Sequence, residues 1–599
     1  MCGIAGIINI NNTKVSYEDI KLMTDIITHR GPDGEGHFVS ENIGFGHRRL
    51  AILDLSKAGH QPMIKNDIVL VFNGEIYNYL EIREELEALG EEFNTNTDTE
   101  VVIKAYKQWS YECVKKFNGM WAFALFDKNE DKIFISRDRF GIKPFYYFEN
   151  NSQFYFGSEI KQILPFLTST KVNKQILYDF LYLSYHHHTE NTFFDGIKSL
   201  RAGHNMIFDN KTKDIKIEKY YDLKKESKNY KTLDESVNAY KNKFKRAIEL
   251  RLRSDVKVGT CLSGGLDSSY VAKVASENYE SNSRFTAITA KSIDPVNDES
   301  HYAKIVADRY NLNWKITEPS KEDFFNSIDD VIYNQEEPFG SPSIIMQYFV
   351  MKKAKDEGCI VMLDGQGGDE TLLGYERYFI PYLSSIKNPI KRIKEFRKLS
   401  KNSKLSLKQL LYYYLYFGIP KIRERYLLKR NNYVLKENKM YFNRGLAATF
   451  KKSSKDLISL QKKELLEIQL EKLLKFEDRN SMAHSIEARV PFIDYKLVEC
   501  ALAIPAKFKI NKGWSKFILR KSYGSDAPSE IVWRKNKFGF EAPTKKWMKE
   551  KQFLLQTITE SAFLDNIINK ESSLKELDDN TLWKLFNIAK WSERFNVEY

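Results

Sequence analysis

The chain has 599 residues, 42% of them hydrophobic and 29% charged, and a formal net charge of +13 at pH 7. This length predicts roughly two to four domains, and the composition is that of a globular protein. No apolar run is long enough to span a bilayer, and the five cysteines lie far apart without a Cys-x-x-Cys pair. We therefore predict a cytoplasmic protein with neither a disulfide framework nor a zinc site.

The first part of the chain, residues 1–210, alternates short β-type runs with two helical patterns, at 80–90 and 99–109. This mixture predicts antiparallel sheets layered with helices. A polar stretch at 210–235 then indicates a domain boundary. We predict a first domain over 1–210 and a second over 211–599.

In the second part, apolar strands alternate with long helices, and the chain becomes mostly helical from about 376. Strand–helix–strand order with unalternating apolar strands predicts a doubly wound parallel sheet. The densest basic stretch, 386–404, carries apolar residues at three-residue steps, which predicts a surface helix with a solvated basic face. Lysine is also abundant throughout, so the positive charge does not by itself indicate a nucleic-acid partner.

The most informative motif is LSGGLDSS at 262–269, where a predicted strand runs into a predicted helix. Two glycines let the backbone approach an anion, and the helix N-terminus directs N–H groups at it. No lysine follows the glycines, so the loop is not a Walker A motif. It is similar instead to the pyrophosphate loop of enzymes that split ATP between its α and β phosphates.

A second polar loop, DGQGGDE at 364–370, follows a later apolar strand. Because ligands of open α/β sheets bind at the carboxyl ends of strands, both loops can reach one crevice. We predict that Asp267 and Asp369 supply oxygen ligands for Mg²⁺, whereas Asp364 can belong to the nucleotide site through its backbone.

The chain begins MCGIAGIINI. If Met1 is removed, Cys2 carries a thiol and a free α-amine, a possible nucleophile and base on one residue. Taken alone, the same cysteine is equally a small buried hydrophobe at the start of an edge strand.

Ordered motifs over nearly the whole chain resemble the glutamine-dependent asparagine synthetases of the bacterial type. Those of the first part are MCGIAGI (1–7), HRGPDGEG (29–36), GHRRLAILDLS (46–56), NGEIYN (73–78), NTDTE (96–100), FNGMWAFALFD (117–127) and RDRFGIKPFYY (137–147). Those of the second part are LSGGLDSS, LDGQGGDE (363–370), the segment 476–499 and WSKFILRK (514–521). The resemblance implies an αββα N-terminal-nucleophile glutaminase domain, followed by an ATP pyrophosphatase domain with a largely helical C-terminal part.

The family's reaction makes asparagine from aspartate, ATP and glutamine through β-aspartyl-AMP, releasing AMP, pyrophosphate and glutamate. The resemblance makes Cys2 the nucleophile, with the Asn73 side chain and the Gly74 N–H as oxyanion donors. It also assigns residues that bind glutamine; they are Arg49, Leu50, Ala51, Ile52, Leu53, Asn73, Gly74, Glu75 and Asp98.

In the second domain the resemblance makes Lys516 the catalytic cation and ATP with Mg²⁺ the cofactor set. The residues implied in ATP binding are Leu262, Ser263, Gly264, Gly265, Asp267, Ser268, Ser269, Ala287, Ile288, Asp364 and Gly365. The partners implied are small-molecule substrates, with no nucleic acid and no membrane. The oligomeric state stays open, with a homodimer as the candidate assembly.

Three features leave alternatives open. Gln366 stands where some family members carry glutamate, so an acid–base role at that position is in doubt. Arg489 can hold a substrate carboxylate or form a structural ion pair. The triplet His186–His188 lacks neighbouring ligands and does not indicate a metal site.

A related enzyme could amidate a different carboxylate, such as one in a cell-surface sugar or a secondary metabolite. The acceptor pocket decides between the two activities, and we expect the loops around 338–343 and 476–494 to form it. We further expect a mainly apolar passage for ammonia between the two sites. Its candidate walls are the apolar and small residues of FNGMWAFALFD (117–127), Ala122 among them, and of HSIEARVPF (484–492).

Overall fold

The computed structural model describes residues 2–281, 283–450, 456–535, 542–548, 551–570 and 574–599. Two six-stranded antiparallel sheets form its first part, in the orders β10-β8-β9-β1-β3-β2 and β12-β11-β7-β6-β5-β4. The strands are β1 (Gly3–Asn9), β2 (Gly34–Ser40), β3 (Ile43–Arg49), β4 (Met63–Lys65), β5 (Ile68–Ile76), β6 (Gly119–Asp127), β7 (Lys132–Arg137), β8 (Tyr146–Glu149), β9 (Gln153–Gly157), β10 (Lys198–Ser199), β11 (His204–Asp209) and β12 (Ile215–Lys219).

The two sheets face each other across an apolar core that includes Ile4, Phe45, Val71 and Phe156. Helices cover the outer faces: α1 (Tyr17–Asp25) packs on β1 and β3, while α2 (Tyr79–Ala88) and α3 (Asp98–Trp109) cover β5 and β6. A fourth helix, α4 (Lys174–Leu183), follows the sheets. This helix–sheet–sheet–helix layering confirms the predicted fold of the first part.

Local signals set the ends of α2 and α3 close to their predicted positions. Gly90 has φ +94° just beyond α2, a backbone conformation that glycine adopts without strain. The Thr97 side chain caps α3 by accepting a hydrogen bond from the Glu100 N–H. Both helices are confirmed.

The polar stretch at 210–235 contains a strand as well as a connection. The strand β12 pairs with β11 and continues the second sheet. The next helix, α5 (Leu233–Leu252), is capped by Thr232, and the residues between β12 and Thr232 form an irregular connection.

A five-stranded parallel sheet forms the centre of the second part, in the order β15-β14-β13-β16-β17. Its strands are β13 (Val258–Cys261), β14 (Thr286–Ala290), β15 (Asn313–Thr317), β16 (Val361–Leu363) and β17 (Glu487–Arg489). Successive residues of β14 face opposite sides of the sheet. Ala287 packs with residues of α5 and of the helix that follows β13, whereas Ile288 packs with residues of the helix that precedes β16. Both faces are covered, as predicted for a doubly wound sheet.

The rest of the second part is largely helical, as predicted. The helices after α5 are α6 (Leu266–Asn278), α7 (Ser300–Arg309), α8 (Lys321–Gln335), α9 (Ser343–Asp356), α10 (Gly368–Leu372), α11 (Phe379–Ser385), α12 (Pro389–Asn402), α13 (Leu407–Gly418), α14 (Pro420–Arg430), α15 (Arg444–Ala447), α16 (Leu457–Lys463), α17 (Leu470–Met482), α18 (Tyr495–Ala503), α19 (Ala506–Lys509), α20 (Phe517–Ser522), α21 (Ser529–Val532), α22 (Thr544–Trp547), α23 (Gln552–Glu560), α24 (Ala562–Asp565) and α25 (Asp579–Arg594). A π-helical turn, Glu464–Ile468, precedes α17.

The predicted basic surface helix is α12. Ile390 and Ile393 are 66% and 56% exposed, whereas Leu399 is fully buried, so only the C-terminal half of the helix is anchored in the core. Within the described residues, no helix combines the length and apolar character needed to cross a membrane.

The two parts of the chain share an extensive interface. One apolar cluster joins Tyr77 and Met120 of the first part to Leu474, Met482 and Val490 of the second. Beside it lies a buried ionic network, in which Arg30 contacts Glu159 at 2.8 Å and Asp478 of α17 at 2.9 Å. Ala122 packs in the core between the two sheets of the first part, opposite Asn73 of β5. The expectation that Ala122 lines a passage between the sites stays a prediction, and the interface itself is polar as well as apolar.

Replacing Arg30 with alanine is expected to destabilise this interface by about 3–5 kcal/mol, because Glu159 and Asp478 would lose a buried cation. The matched control is Arg444→Ala, which removes an ion pair to Glu424 on the surface and should cost less than about 1 kcal/mol. Thermal unfolding of both variants beside the wild type measures the difference. Equal midpoints for the two variants would show that the buried pairs contribute no more than surface pairs.

Candidate active sites

Cys2 is buried immediately before β1, beside Asn73 of β5 in the second sheet. Its backbone N–H donates to Asn73 Oδ1 at 3.2 Å, and its Sγ lies 3.9 Å from the Leu50 carbonyl oxygen. Burial raises the pKa of the thiol. The Asn73 Nδ2 group is buried and has no hydrogen-bond partner among the described residues, so a donor is available close to the thiol.

A small cavity of about 30 Å³ adjoins Cys2. It brings together most of the side chains predicted to bind glutamine, with three further polar neighbours. Its lining residues include Arg49, Leu50, Ile52, Leu53, Gly74, Glu75 and Asp98, and also Gln61, Thr97 and Glu487. Ala51 is not part of this lining, and its N–H donates to Asp33 Oδ2 at 2.8 Å.

Arg49 holds the loop that covers this cavity. Its guanidinium donates to the carbonyl oxygens of Ser56 at 2.7 Å and Asp54 at 2.5 Å. The guanidinium has five N–H donors, so these bonds leave donors for a carboxylate. Arg49 thus stabilises the loop and keeps guanidinium donors for an anion.

Three carboxyl groups border the same cavity, those of Glu75, Asp98 and Glu487. Burial, with the neighbouring Asp98, raises the pKa of Glu75 well above its usual range. Burial likewise raises the pKa of Asp98 to about 7, although its carboxylate accepts a hydrogen bond from the Ile76 N–H at 2.8 Å. This cluster has an excess of negative charge that a bound ammonium group would compensate.

Glu487 and Arg489 come from β17, in the second part of the chain, and sequence reasoning did not place them here. Arg489 contacts Glu487 at 2.6 Å and Glu75 at 3.5 Å, and it donates to the carbonyl oxygens of Arg251 and Arg253. Of the two readings of Arg489, the structure supports the structural ion pair. From the sequence, HSIEARVPF (484–492) was expected only as a wall of the passage between the sites, and nothing in it indicated that Glu487 borders the cavity beside Cys2.

We expect glutamine affinity to fall as the pH drops below about 7, because protonated Asp98 cannot pair with the substrate's α-ammonium. The decrease should approach about tenfold per pH unit. Calorimetric titration of the Cys2→Ala variant with glutamine measures binding without hydrolysis. When Asp98→Asn is added to the Cys2→Ala variant, glutamine should bind weakly and with an affinity that does not change with pH. A pH-independent affinity in Cys2→Ala alone, where Asp98 is intact, would exclude Asp98 as the partner of the α-ammonium.

The second site is a cavity of about 510 Å³ at the carboxyl ends of β13 and β16. The predicted phosphate loop and the DGQGGDE loop both border it, as the strand-end argument required. The predicted residues in its lining are Ser263, Gly265, Asp267, Ser268, Asp364, Gly365 and Asp369, and Gln366 lies beside them.

The phosphate loop has the predicted strand–turn–helix form. Gly264 has φ +69°, and a Cβ there would lie 2.5 Å from the Ala303 backbone nitrogen, so this position requires glycine. Ser263 and Ser268 are hydrogen-bonded through their hydroxyls at 2.9 Å, in front of the N-terminus of α6. The loop therefore presents hydroxyls and a positive helix end to the cavity.

Other residues predicted to bind ATP do not border this cavity. Leu262, Ala287 and Ile288 are fully buried in the sheet beneath it, and Gly264 and Ser269 lie behind the loop surface. Leu262 is held by β14, since its N–H donates to the Ile288 carbonyl oxygen at 2.8 Å. These five residues could therefore contact a nucleotide only through their backbone atoms, or stabilise the phosphate loop from below.

Lys516 joins the two acidic loops. Its Nζ lies 2.5 Å from both Asp267 Oδ2 and Asp369 Oδ1. A Cβ at Gly374 would collide with the Asp369 carboxylate and the Lys516 chain, so glycine permits this approach. The Lys516 ammonium thus lies where a cation is bound between two carboxylates. Carboxylate oxygens are also ligands that Mg²⁺ prefers, so Asp267 and Asp369 would fit Mg²⁺ if Lys516 moved toward a phosphate.

One pair of strands connects the two sites. Glu487 of β17 borders the cavity beside Cys2, while the Arg489 carbonyl oxygen accepts a hydrogen bond from the Asp364 N–H at 2.9 Å. Asp364 in turn borders the larger cavity. The same short strand thus contacts both candidate sites.

The histidine triplet is split between different partners. His187 contacts Glu337 at 3.2 Å and His188 contacts Asp179 at 2.9 Å. Among the described residues, no group of three or more His, Cys, Asp or Glu side chains is arranged to hold a metal ion.

Comparison with known proteins matches each part of the chain to a family. The model of the glutamine amidotransferase domain matches residues 1–221, and that of asparagine synthase matches residues 239–593. Asparagine synthetase (glutamine-hydrolyzing) 1 of Bacillus subtilis is 32% identical, over 98% of this chain and 95% of that protein. Putative asparagine synthetase (glutamine-hydrolyzing) 2 of Methanocaldococcus jannaschii is 38% identical, over 68% of this chain and 81% of that protein. Amidase chry2 of Gibberella zeae is 26% identical, over 91% and 90% respectively.

A glutamine amidotransferase domain followed by an ATP-dependent synthetase domain defines a carbon–nitrogen ligase that uses glutamine. The chain belongs to the glutamine-hydrolysing asparagine synthetase family.

Proposed function

We propose that this protein makes asparagine from aspartate, ATP and glutamine through a β-aspartyl-AMP intermediate. The observation that supports this most directly is the presence of two separate cavities, one beside Cys2 and one beside the SGGLDSS loop. The domain assignment we propose is a glutaminase over 1–210 and a synthetase over 211–599. The protein would act on small molecules, in the cytoplasm.

In the first cavity, the Cys2 thiolate attacks the side-chain amide of glutamine, forming a thioester and releasing ammonia. After removal of Met1, the α-amine would carry the proton from the thiol to the leaving nitrogen. The unpartnered Asn73 Nδ2 and the Gly74 N–H would stabilise the oxyanion. Arg49 would bind the α-carboxylate, and Glu75 with Asp98 would bind the α-ammonium.

In the second cavity, the β-carboxylate of aspartate attacks the α-phosphorus of ATP, and pyrophosphate leaves. Both reactants are anionic, so positive charge is required where they meet. Lys516 would supply it, together with the N–H groups and hydroxyls of the phosphate loop. Mg²⁺ bound through Asp267 and Asp369 would neutralise further phosphate charge. Ammonia then attacks the acyl-adenylate, giving asparagine and AMP.

Most residues that line the small cavity beside Cys2 are buried, which would limit the water around a thioester there. The cavity has a volume of only about 30 Å³, so we expect the loop that Arg49 anchors to shift when glutamine binds.

Incubation of the protein with aspartate, ATP and either glutamine or ammonia tests the proposal. Asparagine, AMP and pyrophosphate should form in equal amounts with either nitrogen source. Formation of ADP and phosphate would contradict the adenylation step. AMP formation with another carboxylate but not with aspartate would instead favour the alternative, an amidotransferase for a sugar or a secondary metabolite.

A further inference from the structure

The larger cavity extends beyond the phosphate loop into a second arm that no step of the proposed reaction uses. Residues from three distant parts of the chain meet there: His186 and Ser184 after α4, Lys472 on α17, and Lys584 on α25. We refer to Lys472, Lys584 and His186 as the basic arm. The charged lining residues at the loop end are Asp267, Asp364 and Asp369, so the described lining is acidic at one end and basic at the other.

Lys472 is the central group of the basic arm. Among the described residues, no side chain or carbonyl oxygen bonds to its ammonium, although Arg377 and Glu464 of a neighbouring ion pair lie close enough to influence it. Burial, with Arg377, lowers the pKa of Lys472 to about 8. The ammonium of Lys472 is only partly exposed to solvent, and without a bonded counter-ion it gains from a bound anion.

The other two groups of the basic arm point to the same ligand chemistry. Lys584 donates to the Ser184 hydroxyl and has no carboxylate partner within the described chain; burial, with Arg430 and Lys472, lowers its pKa to about 8. His186 is 4% exposed, and both of its ring nitrogens lack a hydrogen-bond partner in the described structure. Three nitrogen-bearing side chains thus border one space without an acidic neighbour bonded to any of them.

We propose that the basic arm binds the carboxylate of the acceptor that is not activated, which for aspartate is the α-carboxylate. This inference rests on the proposed function, since it assumes a dicarboxylic acceptor. The β-carboxylate would point toward Lys516 and the phosphate loop, and the α-carboxylate would accept hydrogen bonds from Lys472, with Lys584 and His186 beside it. The arm would then select the acceptor by its second negative charge.

The test compares aspartate with β-alanine, which keeps the reacting carboxylate and the amine but lacks the α-carboxylate. Ammonia serves as the nitrogen source, and kcat/KM is measured for both acceptors through AMP release. In Lys472→Gln, kcat/KM for aspartate should fall roughly 10- to 100-fold, the size of a charge-assisted hydrogen bond, while that for β-alanine stays unchanged. The wild-type preference for aspartate should shrink by the same factor.

Three further measurements keep the outcome specific. Lys472→Arg retains the charge and should recover much of the preference for aspartate over β-alanine. Lys584→Gln should lower this preference, as Lys472→Gln does. Lys394→Gln removes an exposed lysine of α12 and is the charge-matched control; it should leave the preference for aspartate unaltered. Glutamine hydrolysis at Cys2 reports whether each variant is folded.

An unchanged preference in folded Lys472→Gln would overturn the inference while leaving asparagine synthesis intact. A rise in KM for ATP with the preference preserved would also overturn it and place Lys472 at the nucleotide. Failure of the wild type to release AMP with aspartate would overturn the proposed function and this inference together.

Discussion

Replacing Cys2 with alanine is expected to lower glutamine-dependent synthesis by more than about 10³-fold and to leave ammonia-dependent synthesis near the wild-type rate. The physical reason is that the thiol lies in a cavity separate from the one at the phosphate loop. Only ammonia would pass between them, and ammonia supplied in the buffer replaces it. Parallel assays with glutamine and with ammonium salts measure both activities.

The matched control is a variant of a buried cysteine outside both cavities, Cys113→Ala, which should retain both activities in folded protein. If Cys2→Ala still hydrolyses glutamine, then Cys2 is not the nucleophile. Loss of both activities in a folded variant would instead give Cys2 a structural role.

Replacing Asp267 with asparagine is expected to lower synthesis about 100-fold or more with either nitrogen source, while glutamine hydrolysis survives at least in part. Asp267 contacts Lys516 at 2.5 Å and borders the phosphate loop. The amide keeps the shape of the side chain but loses the charge that positions Lys516 and that a divalent cation requires. Pyrophosphate release with aspartate and ATP measures the adenylation step directly.

Asp308→Asn is the control, because Asp308 pairs with Lys304 on the exposed face of α7 and should not affect synthesis. Near-normal pyrophosphate release by Asp267→Asn would remove Asp267 from the nucleotide site. Equal loss of glutamine hydrolysis would indicate damage to the whole fold.

Most of the architecture follows from local patterns in the sequence. Gly90 and Thr97 mark the ends of helices α2 and α3, which lie within two residues of their predicted bounds. The LSGGLDSS motif predicts a strand, a turn and a helix, because its glycines fit the turn and its serines fit the start of α6. Such signals act over a few residues, so they predict helix and strand ends without knowledge of the tertiary fold.

Contacts between distant segments could not be predicted in the same way. Glu487 borders the cavity beside Cys2 and Arg489 contacts Glu75 of that cavity, although both residues lie on β17, which pairs with β16 of the second part. The alternation of β6 places Ala122 in the core between the sheets, opposite Asn73 of the site beside Cys2, which the sequence alone did not indicate. The basic arm likewise needs three segments of the chain to meet.

The sequence by itself determined the two-part organisation, the phosphate loop and the residues that resemble a glutamine site, because each depends on short motifs whose spacing is fixed by a turn or a helix. Only the tertiary structure decided that Lys516 lies between Asp267 and Asp369, that β17 contacts both cavities, and that Lys472, Lys584 and His186 share one arm. The physical reason is that these arrangements arise from packing between elements distant in sequence, where side-chain volume and buried charge select one geometry among many.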